Sequence, residues 1–248
     1  MTTQEFNNEF DISYNAIAGQ SAPNIDLYEK SLYLTRAQEE IVKNYYDPAS
    51  NLKRKGFEGS EKRRRDLNEL VKNYKTSEAL NDSSKIHTSS RFFKIPEDVF
   101  FIVQEQAIIK SGDCYNGNST NVKPVTHDEF NIQIKNPFKQ PNHKVTWRLD
   151  ISKLNGKRVV ELISPYNIGG ELEYQVRYIK YPNPIILADL DEYFPGENLS
   201  INGKTQEKTC ELSEGICREI INRAVELAMV DYNPQNLQAK MQVDLRDE

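Results

Sequence analysis

The chain has 248 residues, 38% hydrophobic and 28% charged, and its 32 basic and 37 acidic side chains leave a net charge of −5. That length buries a substantial core without covalent staples, and the mild acidity excludes a protein whose whole surface grips nucleic acid. The mean hydropathy of −0.70 is polar for a folded chain, yet 13 Tyr and 10 Phe exceed what a disordered one carries.

No run approaches the roughly 20 apolar residues of a membrane-crossing helix. The opening residues Met1 to Phe10 carry neither a basic nor an apolar leader region, so no secretory signal is expected. Cys114, Cys210 and Cys217 lack short paired spacing and are expected to be reduced thiols.

In chain order, residues 1 to about 76 read as helical. Phe6, Phe10 and Ile17 form an apolar stripe that ends near Gly19 and Pro23. Ser31 to Leu34 is short and apolar enough for a strand, and Thr35 with Gln38 has the spacing of a capping box. The helix so opened carries Ile41, Val42 and Tyr45 and stops at Asp47-Pro48, where proline cannot continue it. A second capped segment starts at Ser60, with Leu67, Leu70, Val71 and Tyr74 at helical spacing. Residues 77–90 are polar and turn-rich, as in a linker or exposed arm.

From 91 to 205 the pattern changes to strand. Val99 to Ile109 is β-branched and aromatic. Val145, Trp147, Leu149 and Ile151 alternate with polar residues, as do Leu172, Tyr174, Val176 and Tyr178, and Arg158 to Ile163 adds an apolar run. Such alternation puts one face on a core and one in solvent, as in an antiparallel sheet. Thr126 to Glu129 is a capping box for a short helix that ends before Asn136-Pro137-Phe138. A last helix within 206–232 has Ser213 as N-cap and an apolar face of Ile216, Cys217, Ile220, Ile221, Ala224, Leu227 and Ala228. A polar tail, 233–248, follows. Helices, then strands, then one helix predict an α+β fold: N-terminal helices, a central antiparallel β domain and a C-terminal amphipathic helix that packs back on the helical region.

A search for chemistry yields little. Gly203-Lys204-Thr205 lacks the glycine five residues earlier that a phosphate loop requires, since Asn198 stands there, and a hairpin turn explains it better. His87, His127 and His143 are scattered, whereas a zinc site needs four clustered ligands. There is no nucleophile elbow, and no cysteine has a neighbouring histidine. Asp189 and Asp191 lie in a loop with nothing beside them to complete a cation cage. No catalytic residue, metal site or cofactor is assigned.

Charge is more informative. Lys53, Arg54, Lys55, Lys62, Arg63, Arg64 and Arg65, against only Glu58 and Glu61, make 53–65 a +5 segment and leave −10 for the rest of the chain. It is either a solvated helix start or a face for an acidic protein or for nucleic acid passing nearby. Arg63 to Arg65 in a helix's first turn oppose the macrodipole, which favours an external anionic partner.

Several segments are jointly familiar: Leu34 to Val42, Phe57 to Arg64, Asn136 to Pro141, Val176 to Pro182, and the closing helix from Leu212 to Ala228. In this collinear order, over nearly the whole chain, the sequence resembles the structural ring proteins of crAss-like bacteriophages of Bacteroides-type gut bacteria. The element order is also similar, more distantly, to the head–tail adaptors of short-tailed phages. The resemblance implies a virion protein of the neck and tail, assembled in the host bacterial cytoplasm: a homo-oligomeric ring of twelve copies that connects the portal to the tail and lines the DNA conduit. Its implied partners are the portal and other ring or tail proteins, with DNA passing unbound during genome ejection and no membrane contact. It implies no enzyme activity and no cofactor. The level of the ring in the stack stays open, and a DNA-binding accessory protein using 53–65 stands as the alternative.

Overall fold

The computed structural model describes residues 1–18, 23–50, 56–80, 85–110, 116–154, 156–165 and 171–232. Two compact units emerge. Met1–Leu70 and Pro182–Glu248 form one, and Val71–Tyr181 forms the other as an insert.

The first unit opens with α1 (Thr3–Ala18), α2 (Leu27–Tyr46) and the short α3 (Glu61–Leu67). In α1, Phe6, Phe10 and Tyr14 are buried at successive turns. A capping box does open α2, but it is Asp26 with Glu29, eight residues before the Ser31–Leu34 apolar run ends. That run is therefore helical and not a strand; a short buried run has no period to tell the two apart. Thr35 and Gln38 lie in the helix interior. Together with Ser31 they form a buried polar stripe at i, i+4 and i+7 that meets the extended backbone of 183–187. Gln38 Nε2 donates to the Asn183 carbonyl at 2.8 Å, Thr35 Oγ1 donates to the Ile185 carbonyl at 3.3 Å, and Ser31 Oγ accepts from the Leu187 amide at 3.0 Å. The spacings match: four helical residues rise about 6 Å, close to two residues of extended chain at about 6.6 Å. The helix ends at Asp47-Pro48 as expected.

The insert begins directly after α3 and a single turn of tighter helix at Asn68–Leu70. Its strands are β1 (Val71–Thr76), β2 (Ala79–Leu80), β3 (Ser90–Lys94), β4 (Val99–Lys110), β5 (Ser119–Pro124), β6 (Val145–Leu154), β7 (Lys157–Ile163) and β8 (Glu171–Lys180), with α4 (His127–Gln133) between β5 and β6. The helical region thus stops at Leu70, not Thr76. Val71 and Tyr74 mimic a helical stripe, but six residues of antiparallel pairing with β8, from Val71 opposite Ile179 to Thr76 opposite Tyr174, set the conformation. The 77–90 arm contains β2 and the start of β3; residues 81–84 lie outside those described.

The strand order is β1-β8-β4-β5-β6-β7-β3-β2. Every pair is antiparallel except β5 and β6, because the α4 crossover lets the chain return in the same direction. The sheet curls on itself: Phe93 on β3 and Tyr174 on β8 have four strands between them, yet their rings lie 5.9 Å apart. The enclosed core holds Phe93, Ala107, Ile109, Val160, Leu162, Leu172, Tyr174, Val176 and Tyr178. On the opposite face of β6, Trp147 and Leu149 pack with Phe130 of α4, whose ring meets Trp147 edge-on at 6.1 Å. With both faces covered, β6 also buries Thr146 and Arg148, positions that alternation assigns to solvent. Thr146 shares a 2.8 Å hydroxyl bond with Thr120, and Arg148 meets Glu105 at 2.5 Å. Tyr174 completes the group by donating its hydroxyl to Glu105.

The chain then rejoins the first unit. Residues 182–205, expected in the β domain, instead supply the 183–187 segment on α2 and the short α5 (Leu190–Tyr193). Asn202 and Gly203 both have positive φ, +50° and +74°, and Ile201 bridges Lys204 across them. This is the tight hairpin turn that excludes a phosphate loop. Last comes α6 (Glu214–Tyr232), whose buried face of Ile216, Cys217, Ile220, Ile221, Ala224, Val225 and Ala228 packs on α1 and α2. Ser213 stands before it, but its hydroxyl donates to Asp66 Oδ1 at 3.1 Å. The 233–248 tail lies outside the described residues. The fold is α+β.

Candidate partner-binding surfaces

The basic segment was the strongest candidate in the sequence. Lys53, Arg54 and Lys55 lie outside the described residues. Ser60 caps α3 as expected, accepting from the Arg63 amide at 3.3 Å. But α3 spans only seven residues, which puts Arg64 and Arg65 in its last turn. Cations are favoured there, so the macrodipole argument for an external anion falls. Lys62 Nζ pairs with Glu219 Oε1 at 2.6 Å, and Tyr45 donates its hydroxyl to Oε2 of the same carboxylate at 2.7 Å. The Arg63 guanidinium lies 5.0 Å from the centre of the Tyr45 ring, within cation–π range. Lys62 and Arg63 therefore join α3 to α2 and α6 within their own unit. Hydrogen bonding to Glu219 raises the Lys62 ammonium above its ordinary value. Burial, followed by the bond to Glu219, pushes the Tyr45 phenol up to about 12. Arg64 stands 3.8 Å from Glu58 and Arg65 3.8 Å from the buried Asp66, both with side chains at least half exposed.

The remaining polar candidates have local roles. Asp189 caps α5 by accepting from the Asp191 amide at 3.0 Å. Thr126 caps α4 by accepting from the Glu129 amide at 3.3 Å. His127 Nε2 lies 3.1 Å from the Asp150 carbonyl, and His87 Nδ1 lies 2.8 Å from Ser89 Oγ. Among the described residues no cluster of His, Cys, Asp or Glu could hold a metal ion, and no helix is long and apolar enough to cross a membrane. Cys210 Sγ donates to Gln38 Oε1 at 3.4 Å, and Cys217 is a buried free thiol. An open groove on the outer face of β1, β8 and β4 is lined by Asn73, Gln104, Gln106, Gln175 and Arg177. Several of these satisfy each other, Gln106 with Gln175 at 2.7 Å and Arg177 with Asn73 at 2.9 Å, which leaves little to recognise a ligand.

Two surface features escaped the sequence. Phe138 is 97% exposed in the turn after α4, and Ile132 is 74% exposed on α4 itself. Tyr193, at the end of α5, is 60% exposed. The signal available was the composition of Asn136-Pro137-Phe138-Lys139-Gln140-Pro141, an aromatic set between two prolines in a polar turn. Phe138 and Ile132 belong to the insert and Tyr193 to the first unit; exposed aromatic residues of this kind are enriched where proteins meet.

The whole chain also has known relatives. The family model described as phage tail ring protein 3/4 matches residues 1–240. Ring protein 4/5 of Bacteroides phage crAss001 is 36% identical over 251 aligned positions, covering 100% of both chains. Ring protein 3 of the same phage is 37% identical over 232 positions, covering 93% of this chain and 96% of the relative.

Proposed function

Because the chain belongs to the phage tail ring protein 3/4 family and is a structural ring protein of a virion, not an enzyme, we propose that it forms a closed homo-oligomeric ring in the neck and tail of its phage. In this reading twelve copies match a twelvefold portal, stack between the portal and the next tail component, and line the conduit for the genome. The carrying observation is the full-length similarity, at nearly equal identity, to two differently numbered ring proteins of one phage. A fold used for more than one ring is suited to stacking. The net charge of −5 supports a wall past which DNA slides without being held. Assembly takes place in the host cytoplasm, on a partner ring.

Mass spectrometry of purified particles, followed by electron cryomicroscopy of the neck, tests this. The expected result is the chain in the particles, in a ring of twelve copies below the portal. Its absence from particles, or a ring density that does not fit the two units, overturns the reading.

A further inference from the structure

We infer that successive copies join through two different patches: the Phe138 turn of one copy seats against the Tyr193 turn of the next. The inference rests on the ring reading above and adds the contact that would build the ring.

The first patch has an apolar centre and a basic rim. Exposed Lys135, Lys139 and Lys144 flank Phe138 in the chain, and residues 132–144 contain no acid, the nearest being Asp128 and Glu129 in the first turn of α4. Among the described residues none of these lysines is in an ion pair. The turn is braced from within. The Phe138 amide donates to Asn136 Oδ1 at 3.0 Å, the Lys139 amide to the Asn136 carbonyl at 3.0 Å, and Gln140 Nε2 to the Ile134 carbonyl at 2.8 Å. Pro137 and Pro141 restrict the backbone further. An aromatic ring displayed on a pre-ordered turn loses little freedom on binding, which is what a central anchor of an interface needs.

The second patch is its electrostatic opposite. Residues 189–197 contain four acids and no base, and Asp191, Glu192 and Glu197 are exposed around Tyr193. This turn is anchored as well, because Leu190 is buried with Ile186 and Ile201, and Phe194 packs against that cluster.

Charge decides the mode of association. A two-fold contact of the Phe138 turn with itself brings three lysines against three, and a two-fold contact of the Tyr193 turn opposes acid to acid; both are penalised. Only the unlike pairing joins aromatic to aromatic with opposite rims. Unlike patches make a head-to-tail contact, the kind that closes into rings.

Purified particles treated with a zero-length carbodiimide, which couples only amines and carboxylates in contact, test the contact. The expected products join Lys135, Lys139 or Lys144 to Asp191, Glu192 or Glu197, and are missing from dilute monomeric protein treated identically. The same products in the monomer, or particles that contain the chain without them, overturn the contact while leaving the ring reading intact. Absence of the chain from particles removes the ring reading itself. A charge exchange supplies the second readout. K135E/K139E lowers incorporation into particles about tenfold, and adding D191K/E192K restores it. Failure to restore it, with both variants melting like the native chain, also overturns the contact.

Discussion

Thr35 Oγ1 serves both backbone groups of Ile185, accepting from its amide at 3.1 Å and donating to its carbonyl at 3.3 Å. One hydroxyl thus does for the extended 183–187 segment what a neighbouring strand would do. The residues on either side repeat the arrangement, with Gln38 on Asn183 and Ser31 on Leu187. A buried extended chain has to satisfy its polar groups somewhere, and here a helix face satisfies them.

Thr35→Val keeps the shape of the side chain and removes the hydroxyl. It leaves a buried amide and a buried carbonyl unpartnered, each costing about 1–3 kcal/mol. Urea unfolding should report a loss of about 2 kcal/mol or more, with faster hydrogen exchange at Ile185, while Thr35→Ser retains most of the stability. A valine variant as stable as the native chain would refute the backbone-pairing role.

Inside the curled sheet, Glu105 neutralises Arg148 and accepts from Tyr174. Burial and the adjacent carboxylate hold the Tyr174 phenol well above its ordinary range. Glu105→Gln leaves the Arg148 guanidinium, whose side chain is only 10% exposed, with the exposed Asp150 carboxylate at 3.2 Å as its remaining ion-pair partner, and the expected cost is about 2–3 kcal/mol. The double replacement Glu105→Leu with Arg148→Met is expected to be milder than the single one. Denaturant unfolding of these two variants, and of the single replacements Glu105→Leu and Arg148→Met, checks this ordering, and losses that simply add in the double variant would show that the pair is not coupled.

Tyr45 is one of several phenols raised by burial that contribute to the loss of stability at alkaline pH. Its phenol titrates near 12 in the folded chain, against an ordinary 10.0. The native state therefore holds the proton more tightly. The resulting stability is complete below pH 10 and is lost as pH rises through 12. Lys62 is shifted in the same direction and adds to the decline. Tyr45→Phe is expected to flatten the fall in melting temperature between pH 10 and 12, and parallel profiles for the two proteins would contradict the assignment.

Phe130 and Phe138 separate folding from assembly. Phe130 is buried against Trp147, so Phe130→Ala is expected to cost about 3–5 kcal/mol. Phe138 is almost fully exposed, and Phe138→Ser should leave the isolated chain within about 0.5 kcal/mol of native. Thermal melts distinguish the two, and a large loss for Phe138→Ser would place that ring in a core instead.

The elements legible in the sequence are those whose cause is local. The caps at Ser60 and Thr126, the stop at Asp47-Pro48, the alternation of β8 and the Asn202-Gly203 turn each depend on residues within a few positions. Where the partner is remote, the pattern misleads. Thr35 and Gln38 imitate a capping box because the backbone they bind lies some 150 residues away. Val71 and Tyr74 imitate a helix because the pairing that straightens them comes from β8. The basic segment shows the same division: its charge is readable, but the engagement of Lys62 by Glu219 and of Arg63 by Tyr45 depends on helices that only folding brings together. Exposure of Phe138 and Tyr193 is likewise a property of the finished surface.

The insert enters on β1 and leaves on β8, strands that pair with Val71 opposite Ile179. Paired residues in such a ladder stand only about 5 Å apart, so the Val71–Tyr181 segment begins and ends at neighbouring points. A segment whose two ends lie side by side can be lengthened or redecorated without rethreading the chain that precedes and follows it.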